Sequence, residues 1–325
     1  MKNKISIIIP IYNGTKFINR IFDSILSQTY SNYEVIFIND GSTDESLNIL
    51  NELKDKYSFI KVIDQKNKGR SESRNVGVEN SIGEYLTFLD QDDYISNDFL
   101  EKLINNIKDN DILLSGFNRV DDKKIIKANI PSTCEWSYYK YCATWGKLYR
   151  SDFFKNNKLK FYEISGEDIY IFLNAISLTN KKSIINYAGY NNYVNDNSIT
   201  HVVNKDKSKR SKIIFLLDKI EDSDWVNNLD QKLLLDFYLK TIVLYLFTQR
   251  KILNNKELYD EYKLYFDWLN NQCKKRNKKI SFFKQKGEEK FVIYSINLFL
   301  IIRKLHLMKP FLLLFKKLGS NLMKN

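Results

Sequence analysis

The first 115 residues alternate between short apolar runs and stretches in which apolar residues recur every three or four positions. Apolar runs of four to six residues are typical of strands buried in a parallel sheet, and the longer period is typical of helices packed against it. This alternation predicts a series of βαβ units. The predicted strands cover residues 5–9, 34–39, 60–63, 85–89 and 111–115, and the predicted helices lie near 15–28, 44–55, 71–80 and 97–107.

The pattern changes twice after residue 115. Residues 116–200 are rich in aromatic side chains and irregular, whereas apolar residues beyond 205 recur with a helical period. We therefore expect an α/β domain over residues 1–204 and a mainly α-helical, basic region over residues 205–325. With 325 residues, 43% of them hydrophobic, the chain is long enough to bury a large core.

Cysteine and histidine usage limits the chemistry. Cys134, Cys142 and Cys273 show no paired spacing, and with two histidines in the chain there is no Cys/His zinc pattern. The N-terminus enters an apolar strand at residues 5–9 without the longer apolar stretch of a secretory signal. These features predict a reduced, cytoplasmic setting.

The net charge of +12 belongs to the C-terminal tail. Residues 1–115 carry 13 basic and 18 acidic side chains, whereas residues 271–325 carry 14 basic and 2 acidic ones, a net charge of 14 − 2 = +12. The tail also holds apolar runs at 291–302 and 311–315, and the first of these is shorter than the ~20 residues needed to span a bilayer.

Basic residues beside apolar clusters suit an anionic membrane surface. We therefore expect residues 271–325 to contact the inner face of the plasma membrane peripherally. The apolar fraction of the tail argues against nucleic acid as the partner. The alternative, a helical appendage packed on its own domain or on a partner chain, stays open.

Polar motifs follow three of the predicted strands: residues 10–13 after the first, 39–44 after the second and 90–93 after the fourth. Because parallel strands present their carboxyl ends at one edge of a sheet, where ligands bind, these motifs should converge. The last motif packs three carboxylates within four residues, and such groups resist burial unless a cation or hydrogen-bond donors meet them. A divalent metal is the expected partner.

Six motifs resemble, in order and spacing, the family 2 glycosyltransferases with the GT-A fold. Together they cover roughly residues 5 to 200, and six in order are far more specific than any one alone. They are Ile7-Ile8-Ile9-Pro10-Ile11-Tyr12-Asn13, Asn39-Asp40-Gly41-Ser42-Thr43-Asp44, Asn67-Lys68-Gly69 through Arg74-Asn75-Val76-Gly77, Leu89-Asp90-Gln91-Asp92-Asp93, Trp145-Gly146-Lys147-Leu148-Tyr149-Arg150 and Gly166-Glu167-Asp168.

The resemblance implies a Rossmann-like GT-A domain, binding a nucleotide-diphospho-sugar, with a C-terminal helical extension. It implies a metal-dependent, inverting enzyme that moves a sugar from a nucleotide-sugar, expected to be UDP-linked, to a hydroxyl of a glycan or lipid-linked oligosaccharide. The expected context is bacterial surface polysaccharide, such as capsule.

Residues of the nucleotide pocket follow from the resemblance. Pro10, Tyr12 and Asn13 are expected to line the pocket, with Asp40 contacting the base, where a carboxylate suits a uracil N–H. The alternative for Asp40 is a simple strand-to-helix turn. Gly69 and Arg74 match the segment that closes over the nucleotide and suit a diphosphate, although Arg74 equally suits a structural ion pair.

The metal and the base also follow from the resemblance. Asp92 is the expected ligand of Mn²⁺ or Mg²⁺, and Asp90 is expected near the ribose. Asp93 either assists the metal or caps the following helix. Asp168 is the expected general base for the acceptor hydroxyl, and the alternative is that Glu167 and Asp168 only complement a helix dipole.

Two further positions keep open alternatives. Trp145 either stacks on a sugar or packs in the core, and His201 either binds the metal or lies in a surface loop.

Two rival functions also remain. The first is a nucleotidyltransferase, which would require a Gly-rich, basic loop at residues 10–13. The second is a non-catalytic nucleotide-sugar-binding scaffold, which would not need the acids Asp40, Asp90, Asp92 and Asp168.

Overall fold

The computed structural model describes residues 3–122, 124–194, 213–250 and 252–318. The chain forms two compact units, Met1–Asn195 and Asp196–Asn325. The boundary expected between residues 204 and 205 lies outside the described residues, as does His201, so both expectations stay predictions.

Among the described residues of the first unit, nine strands form one mixed sheet in the spatial order β3-β2-β1-β4-β8-β6-β9-β5, with β7 paired to β6. The strands are β1 (Ile5–Ile11), β2 (Tyr33–Asp40), β3 (Ile60–Gln65), β4 (Tyr85–Phe88), β5 (Tyr94–Ile95), β6 (Ile112–Val120), β7 (Ile125–Asn129), β8 (Lys147–Arg150) and β9 (Lys182–Tyr193).

Helices connect the parallel strands β1 to β4, so the predicted βαβ series is confirmed there. Each strand and helix predicted in the first 115 residues is present, with ends that differ by a few residues. The helices of this unit are α1 (Ile18–Leu26), α2 (Ser46–Lys56), α3 (Arg70–Glu79), α4 (Phe99–Ile107), α5 (Trp136–Lys140), α6 (Ser151–Asn156) and α7 (Glu167–Ser177).

The expectation of a parallel sheet is wrong beyond β4. β8 lies antiparallel between β4 and β6, so the strand predicted at 111–115 is not a neighbour of β4. β7, β8 and β9 all come from the stretch that reads as irregular in the sequence. β7 and β8 have five and four residues, and the twelve residues of β9 mix polar and apolar side chains without a clear two-residue period. Such strands are specified by the sheet against which they pair.

The central strand β1 creates the opening in which a ligand can bind. All seven of its residues are buried, and it pairs with β2 as far as Ile11 but with β4 only as far as Ile8. β2 and β3 lie on one side of β1 and β4 lies on the other. The chain therefore reverses its direction of winding between β1 and β4, and crevices form outside the carboxyl ends of strands at such points.

Gly77 lets α3 approach the sheet closely. A Cβ atom at this position would lie 2.4 Å from Cγ2 of Ile8 and 3.0 Å from Cδ1 of Ile38. We expect Gly77→Ala to lower the free energy of unfolding by about 1–3 kcal/mol, because overpacking outweighs the better helix propensity of alanine, about 1 kcal/mol. Urea denaturation followed by circular dichroism measures this, and an equally stable variant would show that α3 can shift away from β1.

The described part of the second unit is helical, as expected from the sequence. Asn254 begins one helix with a capping box, in which its side chain and that of Glu257 bond each other's backbone N–H groups. No described helix combines the length and the apolar character needed to cross a membrane. The helices are α8 (Ile214–Glu221), α9 (Gln231–Gln249), α10 (Asn255–Lys275), α11 (Lys290–Lys304) and α12 (Met308–Leu318), with a 3-10 turn at Asp224–Asn228.

Candidate active site

The loops after β1 and β2 are joined by hydrogen bonds to each other. Asn13 adopts a φ of +49°, and its Oδ1 accepts from the backbone N–H of Thr43 over 2.8 Å. The backbone N–H of Asn13 donates to Oγ of Ser42 over 3.0 Å, and that of Gly14 donates to Oγ of Ser46 over 2.8 Å. The first two polar motifs therefore converge as predicted.

Gln91 connects the first motif to the acidic motif. Its Oε1 accepts from the backbone N–H of Tyr12 over 2.9 Å, and its Nε2 donates to the carbonyl oxygen of Tyr12 over 3.1 Å. This pairing holds the backbone beyond Pro10 in place while leaving the Tyr12 side chain exposed. The Tyr12 ring is thus available to a ligand at the crevice. Sequence reasoning assigned no role to Gln91.

Asp40 fixes the loop between β3 and α3. Its carboxylate is buried and accepts from the backbone N–H groups of Lys68 and Gly69, over 2.8 and 2.9 Å, and from Nε2 of Gln65 over 2.7 Å. Gly69 has a φ of +89°, a conformation that favours glycine. Asp40 therefore holds Gly69 at the crevice, and its contact with a base stays a prediction.

Arg74 is the centre of a buried ion-pair network. Its side chain is fully buried, Nη2 donates to Oδ1 of Asp90 over 2.6 Å, and Nη1 lies 3.1 Å from Oδ1 of Asp168 and 3.3 Å from Oε1 of Glu167. Burial alone would lower its pKa, but the negative charges of Asp168 and Asp90 raise it. Of the two roles left open for Arg74, the structure shows the ion pair, and contact with a diphosphate stays a prediction.

Arg70 presents a cation to the same crevice. Its side chain is 48% exposed, pairs with Glu167 and places Nη1 3.9 Å from Oδ2 of Asp90. Burial would lower its pKa, yet the charges of Asp90 and Glu167 raise it. A half-exposed guanidinium suits an anionic ligand, because it can form two parallel hydrogen bonds to a phosphate. Sequence reasoning missed it as a site residue, although it lies four positions before Arg74 on the same helical face.

The three acids after β4 have different environments. Asp92 is half-buried, and no other described residue donates a hydrogen bond to its carboxylate. Burial and the charge of Asp90 raise its pKa. Asp93 is buried and accepts from the hydroxyl of Tyr190 over 2.6 Å and from the backbone N–H of Tyr193 over 2.8 Å. The capping expectation for Asp93 is wrong, since Asp93 anchors the loop to β9 and α4 begins after Asp98. Its assistance to a metal stays a prediction.

The acidic motif fits a cation that is shared with a ligand. Within the described ranges, no three His, Cys, Asp or Glu side chains form a group able to hold a metal ion. Asp90 is neutralised by Arg74, whereas Asp92 has a raised pKa and its carboxylate pairs with no cation in the described part of the chain. Mg²⁺ is commonly held by one or two carboxylates together with substrate phosphates and water, and Asp92 offers such a ligand.

Asp168 lies in the first turn of α7, after Gly166 at a φ of +82°. Its Oδ1 accepts from Arg74 and from the hydroxyl of Thr144. Among the described residues, no group bonds its Oδ2, and the side chain is 21% exposed. One oxygen is therefore anchored while the other remains available to a hydroxyl group, the arrangement that a general base needs. Thr144 was missed in the sequence because it is 24 residues away.

Trp145 packs in the core of the first unit. Its ring stacks on that of Tyr190, with centroids 4.6 Å apart, and meets the edge of Phe117 at 4.8 Å. Of the two roles left open for Trp145, the structure shows packing. Through Tyr190, which bonds Asp93, this ring pair supports the loop that carries the acidic motif.

Residues 6–173 match the family described as Glycosyl transferase family 2. Glycosyltransferase GlyA of Streptococcus pneumoniae serotype 4 is 32% identical over 222 residues, which are 62% of this chain and 32% of that protein. The cholesterol galactosyltransferase of Borreliella burgdorferi is 30% identical over 264 residues, 73% of this chain and 74% of that protein. The chain thus spans about a third of the first relative and three quarters of the second.

The crystal structure of residues 1–349 of S. aureus TarS in complex with UDP-GlcNAc has a TM-score of 0.60 to this chain at 19% identity. The similarity covers 88% of this chain and 95% of that one. The expected GT-A fold is therefore confirmed.

Proposed function

As a member of glycosyl transferase family 2, this chain is a glycosyltransferase, and we propose that it moves a sugar from a UDP-sugar to a hydroxyl of a glycan or lipid-linked acceptor with inversion at the anomeric carbon. One observation carries the proposal. Arg74 holds Asp90, at the end of β4, and Asp168, at the start of α7, within reach of one guanidinium, so the expected donor side and base side of the reaction share one crevice.

The donor is proposed to lie across the carboxyl ends of β1 and β2. Tyr12 offers an exposed ring on which a base can stack, and Asp40 holds Gly69 beside the path of the diphosphate. Arg70 supplies a cation for the phosphate oxygens. A nucleotide-sugar donor is supported by TarS, which has been crystallised with UDP-GlcNAc on the same fold.

The acceptor hydroxyl is proposed to approach Oδ2 of Asp168. In a single displacement, this oxygen takes the hydroxyl proton as the acceptor oxygen forms its bond to the anomeric carbon, while the bond from that carbon to the UDP oxygen breaks. Thr144 and Arg74 keep the carboxylate in place through Oδ1. The negative charge that develops on UDP lies where Arg70 can stabilise it.

Asp92 is the residue proposed to hold Mn²⁺ or Mg²⁺ together with the donor. Such a cation, when bound, neutralises charge on the diphosphate leaving group. Burial and the charge of Asp90 raise the pKa of Asp92 by more than Arg20 and Arg70 lower it, and a divalent metal would relieve this situation.

The acceptor and location are proposed by analogy. One relative is named a cholesterol galactosyltransferase, and its lipid acceptor agrees with a lipid-linked acceptor for this chain. We place the enzyme at the inner face of the plasma membrane, where it extends a bacterial surface polysaccharide by single additions.

The test is hydrolysis of a panel of nucleotide-sugars with and without Mn²⁺. We expect UDP release from one sugar, stimulated by the metal and reduced at least about 100-fold in Asp92→Asn, because the variant loses a charged oxygen ligand. Asp109→Asn, which changes an exposed acid in the same domain, is the matched control and should retain the parent rate. Calorimetric binding of UDP without metal-dependent release from any sugar would favour the non-catalytic nucleotide-sugar-binding scaffold instead.

A further inference from the structure

α11 exposes one continuous apolar face, which we call the apolar stripe. Its five side chains are between 43% and 69% exposed. They recur at alternating spacings of three and four residues, which places them on one side of a helix. The stripe consists of Phe291, Tyr294, Leu298, Ile301 and, directly after the end of α11, Leu305.

The opposite face of α11 is locked into the second unit. Ile296 and Phe299 are fully buried. The Phe299 ring stacks on Phe266 at a centroid distance of 5.5 Å and contacts Tyr262 at 6.0 Å. Because these contacts fix the rotation of the helix about its axis, the apolar stripe cannot turn inward and belongs to the surface of this unit.

The segment that carries the apolar stripe is strongly basic, although the exposed Glu289 directly precedes it. Residues 290–318 contain six basic side chains and no acidic one. Lys290, Lys304 and Lys309 are exposed, and the helical period places Lys290 and Lys304 along one flank of the stripe. Arg303 points to the other side, where it donates to Asn270 and lies over the Phe266 ring.

We propose that the apolar stripe docks on the surface of an anionic lipid bilayer. This inference deepens the location given under the proposed function and names the surface responsible. The helix would lie in the plane of the interface, with its apolar side chains among the acyl chains and its lysines at the anionic headgroups. At 15 residues α11 is about 22 Å long, and its packed opposite face keeps it parallel to the membrane.

Charge complementarity distinguishes lipid from a second copy of the chain. In a two-fold symmetric contact the same patch faces itself, so the basic residues of 290–318 in one copy would meet the same basic residues of the other, with Glu289 as the exposed acid that precedes them. An anionic bilayer supplies the negative charge that the segment 290–318 lacks. Nucleic acid would supply the charge but would leave the five apolar side chains in water.

The experiment is flotation of the full chain with vesicles of phosphatidylcholine alone and of phosphatidylcholine mixed with phosphatidylglycerol. The parent should float with the mixed vesicles and not with the neutral ones. Tyr294→Ser combined with Leu298→Ser should weaken binding at least about tenfold, because two apolar side chains that the bilayer would bury are lost. Lys290→Gln combined with Lys304→Gln should weaken it through the loss of charge. Ile82→Ser combined with Ile125→Ser, at exposed sites outside the stripe, should bind as the parent does.

Two results would overturn the proposal. The first is unchanged flotation of the stripe variant, and the second is a parent dimer, seen by light scattering, that the stripe variant converts to a monomer. Donor hydrolysis without vesicles, measured on the same proteins, separates this inference from the proposed function. The stripe variant should hydrolyse the donor at the parent rate. A parent protein that floats with the mixed vesicles but hydrolyses no donor would contradict the proposed function and support lipid docking alone.

Discussion

Replacing Asp168 by asparagine is expected to reduce sugar transfer by roughly 10²–10⁴-fold, the contribution typical of a positioned general base. The substitution preserves shape. An amide oxygen can still accept from Thr144 and Arg74, as Oδ1 of Asp168 does, while the amide nitrogen takes the place of the oxygen that no described residue bonds. The variant therefore keeps the side chain in place but lacks the carboxylate oxygen that takes the proton of the acceptor hydroxyl.

Binding of UDP separates this effect from damage to the site. Calorimetric affinity for UDP should stay within a few-fold of the parent, because the residues proposed for the donor, such as Tyr12 and Arg70, are unchanged. Asp152→Asn is a matched control, since Asp152 pairs with Arg150 at the surface and should not affect transfer. Transfer by Asp168→Asn at the parent rate would remove Asp168 from the role of base, and a parallel loss of UDP binding would point to a structural role.

Thr144 supplies a further check on the same base. We expect Thr144→Val to reduce kcat with little change in the KM for the donor, because the valine keeps the shape of threonine but no longer donates to Oδ1 of Asp168. The loss should be smaller than in Asp168→Asn, since Arg74 still holds the carboxylate. An equal loss in both variants would mean that Thr144 itself contacts the substrate.

The convergence of the motifs at the proposed donor side was predictable from the sequence because a topological rule acts there. Apolar runs identify β1, β2 and β4, and parallel strands must bring their carboxyl ends to one edge. The motifs at Asn13, Asp40 and Asp90 therefore lie near one another regardless of loop conformation. The hydrogen bonds between Asn13 and the loop after β2 show this proximity.

The roles of the individual acids were not predictable in the same way. Asp90, Asp92 and Asp93 look alike in the sequence, yet their carboxylates differ. Arg74 pairs with that of Asp90, no other described residue donates to that of Asp92, and Tyr190 donates to that of Asp93. These partners lie 16 and 97 residues away from the acids that they contact. The pKa of a carboxylate is set by its burial, by nearby charges and by hydrogen-bond donors, and none of these can be read from a local pattern in the sequence.

The segment between residues 116 and 194 was the least predictable part of the fold for a related reason. β8 is four residues long and joins the sheet antiparallel to β4 and β6. Trp145, two residues before β8, stacks on Tyr190, which in turn bonds Asp93 of the acidic motif. Short strands of this kind are specified by their neighbours more than by their own residues.

Arg74 gives the largest expected effect on stability. Its guanidinium is fully buried and is shared by Asp90, Glu167 and Asp168. Removing one partner from a buried ion pair leaves an uncompensated charge, which typically costs about 3–5 kcal/mol. Arg74→Met keeps most of the volume and removes the charge, so we expect it to lower the free energy of unfolding by about that amount, measured by urea denaturation.

The controls for Arg74 follow from its geometry. Arg150→Met removes a surface arginine that pairs with Asp152, and such exposed pairs are worth about 0–1 kcal/mol, so this variant should unfold almost as the parent does. Arg74→Lys restores the charge as a single ammonium group, which cannot bond Asp90 and Asp168 through two separate nitrogens, so an intermediate loss is expected. Equal losses for Arg74→Met and Arg150→Met would show that the three carboxylates find other partners, and the link between the donor side and the base side would then not depend on Arg74.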